Sequence, residues 1–234
     1  MGNRTYDVVF VDFYGTLAAG DKETVELTCR GVVDGLQLPM TPPELAILWG
    51  ERFFEALAVS NHDQFRTLYE CEQHSLRETV RPFVGEIDPV PFVAGMEEYW
   101  RRPPLHDDVV AFLAALDRPV CCVSNADAEP LRQAIAHHGL RFDGVISSEE
   151  ARSYKPDSTI FDNACELMGV SPARVIHIGD SLHSDIGGAS GRGISTAWLN
   201  RPQRIHDIGR CLADFTVSSL TDLIPLLSNG REPR

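Results

Sequence analysis

Residues 8–17 read VVFVDFYGTL. Val8, Val9, Phe10 and Val11 form an apolar, mostly β-branched run of the length expected of a buried strand, and the run stops abruptly at Asp12. Gly15 lets the backbone turn tightly just beyond it. Asp12 is therefore expected at the carboxyl end of a buried strand, where open α/β sheets keep their ligand crevices. A single Asp in this position can simply begin a turn. Three later stretches argue for more: Ser124-Asn125 after a second apolar run, Lys155-Pro156, and GDSLHSD (179–185) after a third.

Outward from residue 17, the pattern divides in two. Ala18–Asp21 reads as a flexible exit. From about 22 to 100 no strong strand is seen, and helical patterns are expected over about 22–38, 43–59, 63–80 and 89–102. The Thr41-Pro42-Pro43-Glu44 start signal opens the second, Asn61-His62-Asp63 opens the third and Pro82 closes it. From Leu105 helix and strand alternate. Strands are expected at about 119–125, 144–147, 175–180, 194–198 and 214–217, with helices at about 106–117, 128–138, 158–169, 184–192 and 219–227. Ser228–Arg234 reads as a frayed tail. Alternation of this kind implies an α/β fold, a doubly wound parallel sheet covered on both faces.

With 234 residues the chain can hold one large domain, or a medium one with a smaller one inserted. A formal net charge of −13 and the lack of a dense basic run argue against a nucleic-acid partner. The six cysteines include no CxxC pair, and Cys121-Cys122 lies within an apolar run, so they read as reduced core residues of a cytoplasmic protein. No stretch has the length of a membrane span. The amino terminus lacks a signal-peptide hydrophobic region, and Tyr6 breaks the myristoylation pattern that Met1-Gly2 would begin.

The four stretches, in this order, resemble the haloacid dehalogenase (HAD) superfamily, over residues 7–17 and about 105–200. The resemblance implies a Rossmann-type core from residues 1–19 and 103–234, and an inserted all-helical cap, 20–102. It also implies hydrolysis through a covalent intermediate on Asp12, with Tyr14 and Lys155 as further catalytic residues. Thr16, Ser124 and Asn125 would bind substrate oxygens. A Mg²⁺ ion would be held by Asp12, the backbone carbonyl of Tyr14 and Asp180, with Asp185 ligating through water or orienting Lys155. Mg²⁺ prefers oxygen ligands and retains several waters, so few protein ligands suffice. A nucleophilic carboxylate splits one hard step into two, and an ammonium offsets the charge gathered around it. Lys155 also stands out by usage, since Lys22 is the only other lysine.

Two departures pull in opposite directions. The family's phosphatases usually carry a second Asp where Tyr14 stands; L-2-haloacid dehalogenases typically carry Tyr, in the D-x-Y-G-T-L pattern. GDSLHSD, by contrast, resembles the Mg²⁺-dependent phosphatases, because the dehalogenases usually have Ser and Asn there. The fourth motif carries more weight, because a metal beside two carboxylates suits a doubly charged phosphoryl group. The expected function is thus a Mg²⁺-dependent phosphatase of a small phosphorylated metabolite. The alternatives are a Mg²⁺-independent L-2-haloacid dehalogenase, or a weakly active or regulatory protein on the same scaffold. Water, His183 or a cap residue would supply the proton that Tyr14 does not. Arg30, Trp49, Arg52, His62, Arg66, His74 and Arg77 are the polar candidates for lining the cap side, and the partner is a small anionic substrate of a monomer or homodimer.

Overall fold

The structure is a computed structural model that describes residues 5–201 and 211–228. Six parallel strands form one sheet: β1 (Val8–Val11), β2 (Val120–Ser124), β3 (Gly144–Ser147), β4 (Val175–Gly179), β5 (Ser195–Leu199) and β6 (Phe215–Val217). Their spatial order is β3-β2-β1-β4-β5-β6, all parallel. The chain order reverses direction beside β1, and this switch point opens a crevice at the carboxyl ends of β1 and β4. All six expected strands are present.

The central strand has to be apolar on both faces because both are covered. Val9, Val11 and Phe13 enter one buried cluster with Val109, Phe112, Leu131 and Leu223. Val8 and Phe10 enter another, with Ile160, Phe161 and Ala164. The adjacent cysteines divide likewise, Cys122 to the first cluster and Cys121 to the second. That period-two division is the reason a continuous hydrophobic run is needed here.

The first four helices after β1 are α1 (Asp21–Leu36), α2 (Pro42–Val59), α3 (Leu68–Val84) and α4 (Val90–Arg101). They share a core of their own, built on Cys29, Val32, Leu45, Trp49, Leu76, Val80 and Val93. Thr41 and Glu44 form the expected capping box of α2. The third helix departs from expectation at both ends. Asn61-His62-Asp63 begins only a 3₁₀ turn, His62–Gln64, and α3 starts at Leu68 because Thr67 and Glu70 form a second capping box. Pro82 does not close it; the helix loses one hydrogen bond there and runs on to Val84, where Gly85 at φ 78° ends it.

The remaining helices are α5 (Val109–Ala115), α6 (Ala128–His137), α7 (Ser148–Ala151), α8 (Thr159–Met168), α9 (Gly188–Gly191) and α10 (Ile224–Leu227). The helix expected over 184–192 is a π-helical turn, Leu182–Gly187, followed by the single turn of α9. Ala18–Asp21 is not a loose exit. Ala18 is fully buried and bridges Leu105 in antiparallel fashion, and Ala19 N–H donates to Pro104 O at 2.8 Å. The expected frayed tail lies outside the described residues except for Ser228, whose N–H donates to Ile224 O at 2.8 Å.

Candidate active site

Parallel pairing of β1 with β4, in the register Val11↔Ile178, sets Asp12 beside Gly179 and one residue short of Asp180. The two carboxylates are thus neighbours because their strands are. Asp12 N–H donates to Ile178 O at 2.9 Å, which continues the ladder past the strand end. Ser124, at the end of β2 on the other side of β1, donates its hydroxyl to Asp12 Oδ1 at 3.0 Å.

Lys155 is buried and all three of its ammonium donors are used. Nζ lies 2.7 Å from Asp12 Oδ1, 2.6 Å from Asp185 Oδ1 and 3.0 Å from Val123 O. Asp185 is buried as well, on the π-helical turn. It also accepts from His177 Nε2 at 2.9 Å and from Ser181 N–H at 3.0 Å. Gly179 makes this close approach possible, since a Cβ there would meet Asp185 Cγ at 2.2 Å. Gly15, at φ 84°, does the same for Asp180, whose Oδ2 lies 2.6 Å from where its Cβ would be.

Carboxylate oxygens of Asp12, Asp180 and Asp185 lie within 4.8 Å of one another. Burial alone would raise the Asp185 carboxyl, but Lys155 and His177 outweigh it and hold it well below the usual carboxylate range. Burial likewise disfavours the Lys155 ammonium, and Asp12 and Asp185 more than offset this, so its pKa is raised. At Asp12 burial prevails over the pull of Lys155, and Asp185 adds to it, so that carboxyl is pushed up. Three clustered carboxylates with a single ammonium, which contacts Asp12 and Asp185, leave the cluster short of positive charge. An all-oxygen donor set with a deficit of this kind fits a hard divalent cation.

The other expected site residues are placed differently. Tyr14 turns its ring onto Trp100 and Tyr99 of α4, and its hydroxyl donates to Trp100 O at 2.5 Å. Its proton is engaged there, and burial raises its pKa further above the phenolic range. The Thr16 hydroxyl donates to Asp180 Oδ1 at 3.2 Å. The Asn125 amide pairs with the backbone of Lys155, accepting from its N–H at 2.7 Å and donating to its carbonyl at 3.1 Å. Both residues hold other site residues in place. His183 is exposed, as are Arg30, Arg52, His62, Arg66 and His74; Arg77 is half-buried. Trp49 is in the helical core, donating Nε1–H to Ser75 Oγ at 2.9 Å.

Four supporting residues escaped the sequence reading. His177 orients Asp185; a polar residue within VIHIGD was its signal. Trp198 Nε1–H donates to Asp180 O at 2.8 Å, and Arg201 to Thr16 O at 3.2 Å. Asp127 accepts from Leu68 N–H and Tyr69 N–H at 2.6 and 3.0 Å, so a residue at the start of α6 receives the first turn of α3. These three had no sequence signal, because each depends on a contact distant in the chain.

A family model of haloacid dehalogenase-like hydrolases matches residues 6–191. The chain is a haloacid dehalogenase-like hydrolase. Known members of the group similar to this hydrolase include both phosphatases and dehalogenases. It is 32% identical over 130 residues to N-acylneuraminate-9-phosphatase of Mus musculus, a match covering 53% of this chain and 52% of that protein. The chain thus spans about half the length of that phosphatase. It is also 32% identical over 222 residues to (S)-2-haloacid dehalogenase 1 of Pseudomonas sp. (strain CBS-3), covering 92% of this chain and 94% of that one. The solved L-2-haloacid dehalogenase from Xanthobacter autotrophicus superposes with a TM-score of 0.77 at 22% identity, over 97% of this chain and all of that one, and so shares the fold of this hydrolase.

Proposed function

We propose that this hydrolase is a Mg²⁺-dependent phosphatase acting on a small phosphorylated metabolite through Asp12. The observation that carries this reading is the set of three carboxylates, Asp12, Asp180 and Asp185, with oxygens within 4.8 Å of one another, of which Asp12 and Asp185 contact the buried Lys155 ammonium. A metal-free dehalogenase has no use for the third carboxylate, which would only repel an anionic substrate. Asp12 and Asp180 would hold Mg²⁺, with Asp185 contributing through water because its oxygens are already engaged by Lys155, His177 and Ser181. The ion would supply the positive charge that a phosphoryl group needs in this acidic setting.

The chain's own residues do the rest. Asp12 Oδ1 is occupied by Ser124 and Lys155, which leaves Oδ2 to attack phosphorus. The O–P bond forms as the alcohol oxygen leaves, and water then hydrolyses the aspartyl-phosphate. Lys155 stabilises the charge on the transferring group. Tyr14 packs against α4 and shields the site from solvent. The leaving oxygen takes its proton from water, which favours substrates with good leaving groups. The helical insert acts as the cap that selects the substrate, and the buried free cysteines suit a cytoplasmic enzyme.

A phosphate-ester panel with Mg²⁺ tests this. Turnover is expected to disappear on adding EDTA, return with excess Mg²⁺, and fall at least about 10³-fold in Asp12→Asn. Hydrolysis that ignores EDTA sinks the proposal. A second reading, L-2-haloacid dehalogenase, is favoured by Tyr14 and by the match to (S)-2-haloacid dehalogenase 1 over 92% of the chain. Chloride release from 2-chloropropionate in EDTA would establish it in place of the first.

A further inference from the structure

The loop that carries Lys155 is held from two sides. On the sheet side, Asn125 engages both polar groups of the Lys155 backbone. On the other side the helical insert grips the residues just before it. Asn61 Oδ1 accepts Tyr154 N–H at 2.7 Å, and the Tyr154 hydroxyl donates to Arg66 O at 2.8 Å. The Tyr154 ring, almost fully buried, stacks on Phe65 with centroids 5.2 Å apart. Arg152 donates its guanidinium to His62 O at 3.1 Å and accepts His62 N–H at its carbonyl at 2.7 Å.

We propose that Asn61 and Tyr154 are positioning residues for Lys155, so that the ammonium meets Asp12 only while segment 61–66 of the insert is seated on 152–154. All three donors of the ammonium go to core groups, so the insert acts on Lys155 through its backbone alone. Residues 153–156 belong to no strand or helix that could fix them independently. The Lys155 side chain is almost wholly enclosed, so its stem cannot swing to compensate, and contacts of 2.6 and 2.7 Å tolerate little drift of its Cα. An insert that lifts to admit substrate therefore withdraws the charge, and the site is complete again only when the insert reseats. The proposal rests on Lys155 being the stabilising charge, a role it has in the phosphatase and dehalogenase readings alike.

The chain's two lysines allow a test that needs no substrate. Lys22 is exposed and serves as the internal control, while Lys155 is buried. Full-length protein is treated briefly with an amine-acylating reagent, and the two peptides are quantified by mass spectrometry. Of the two lysines, wild type is expected to label only Lys22. Asn61→Ala and Tyr154→Phe are expected to raise Lys155 labelling at least ~10-fold relative to Lys22. Unchanged Lys155 labelling in both overturns the proposal. If Asn61→Ala fails to fold, Tyr154→Phe, which keeps the ring and loses one hydroxyl, decides alone.

Turnover of any accepted substrate supplies the second arm. Asn61→Ala is expected to lower kcat ~10–100-fold with KM moving less than ~3-fold, and to add nothing in a Lys155→Met background. Full additivity with Lys155→Met overturns the proposal. A chain that turns over no substrate refutes the functional reading and leaves the labelling result to judge this one.

Discussion

At the scale of single residues, two buried positions have measurable consequences, one in the helical insert and one at the site. Glu72 on α3 is almost fully buried. Its Oε1 accepts Trp100 Nε1–H at 2.8 Å and its Oε2 has no partner among the described residues. Burial pushes its carboxyl up to about 8; the Trp100 hydrogen bond pulls it down, and Glu97 and Asp127 add to the rise. The folded chain therefore keeps a proton that the unfolded chain releases near 4.5. By linkage, this group's stabilising contribution is full below that value, shrinks as pH rises toward about 8 and is then level. Wild type should lose on the order of a few kcal/mol across that window, and Glu72→Gln should lose much less, as urea melts at pH 5 and pH 9 will show. Gly179 is the other. In Gly179→Ala the added methyl collides with Asp185, which three groups pin in place, so a shift is unavoidable. We expect about 1–3 kcal/mol of destabilisation and a fall in kcat of at least ~10-fold, measured by denaturant melts alongside turnover.

At the scale of elements, α3 is anchored to the core by a borrowed carboxylate. Thr67 and Glu70 already cap the helix internally, so Asp127 adds attachment more than helix stability. In Asp127→Ala the helix should persist while hydrogen exchange at the Leu68 and Tyr69 amides quickens at least ~10-fold; unchanged exchange there would show that the insert is held by other contacts. Elements were also where the sequence was most readable. The central strands announce themselves as short apolar runs, and Asp12 and Asp180 follow from motifs at two strand ends, Lys155 and Asp185 from motifs farther along the chain. The start of α3 was misread because two polar clusters compete, and Thr67-x-x-Glu70 wins by satisfying two backbone groups at once. The π-helical turn at 182–187 was invisible, since it arises from seating Asp185 under Lys155 and leaves no periodic trace. The engagement of Tyr14 with Trp100 spans 86 residues, and no local pattern encodes it.

At the scale of the whole molecule, charge and connectivity matter. The formal net charge of −13 would repel an anionic substrate at long range. Added salt screens this field, with a Debye length of about 10 Å at 0.1 M. For a phosphate ester at saturating Mg²⁺, kcat/KM should rise ~2–5-fold between about 10 and 150 mM salt, and a steady fall would mean that a basic funnel guides the substrate instead. Among the described residues, no helix is long and apolar enough to cross a membrane. The paired crossing at Ala18 and Leu105 has a broader bearing. Both ends of the four-helix excursion leave the sheet from one spot, so a short peptide could close the gap without retying any strand. Under the proposed role of the insert as cap, replacing it there would exchange substrate preference as a cassette, provided the replacement also brought its own counterpart to Asn61.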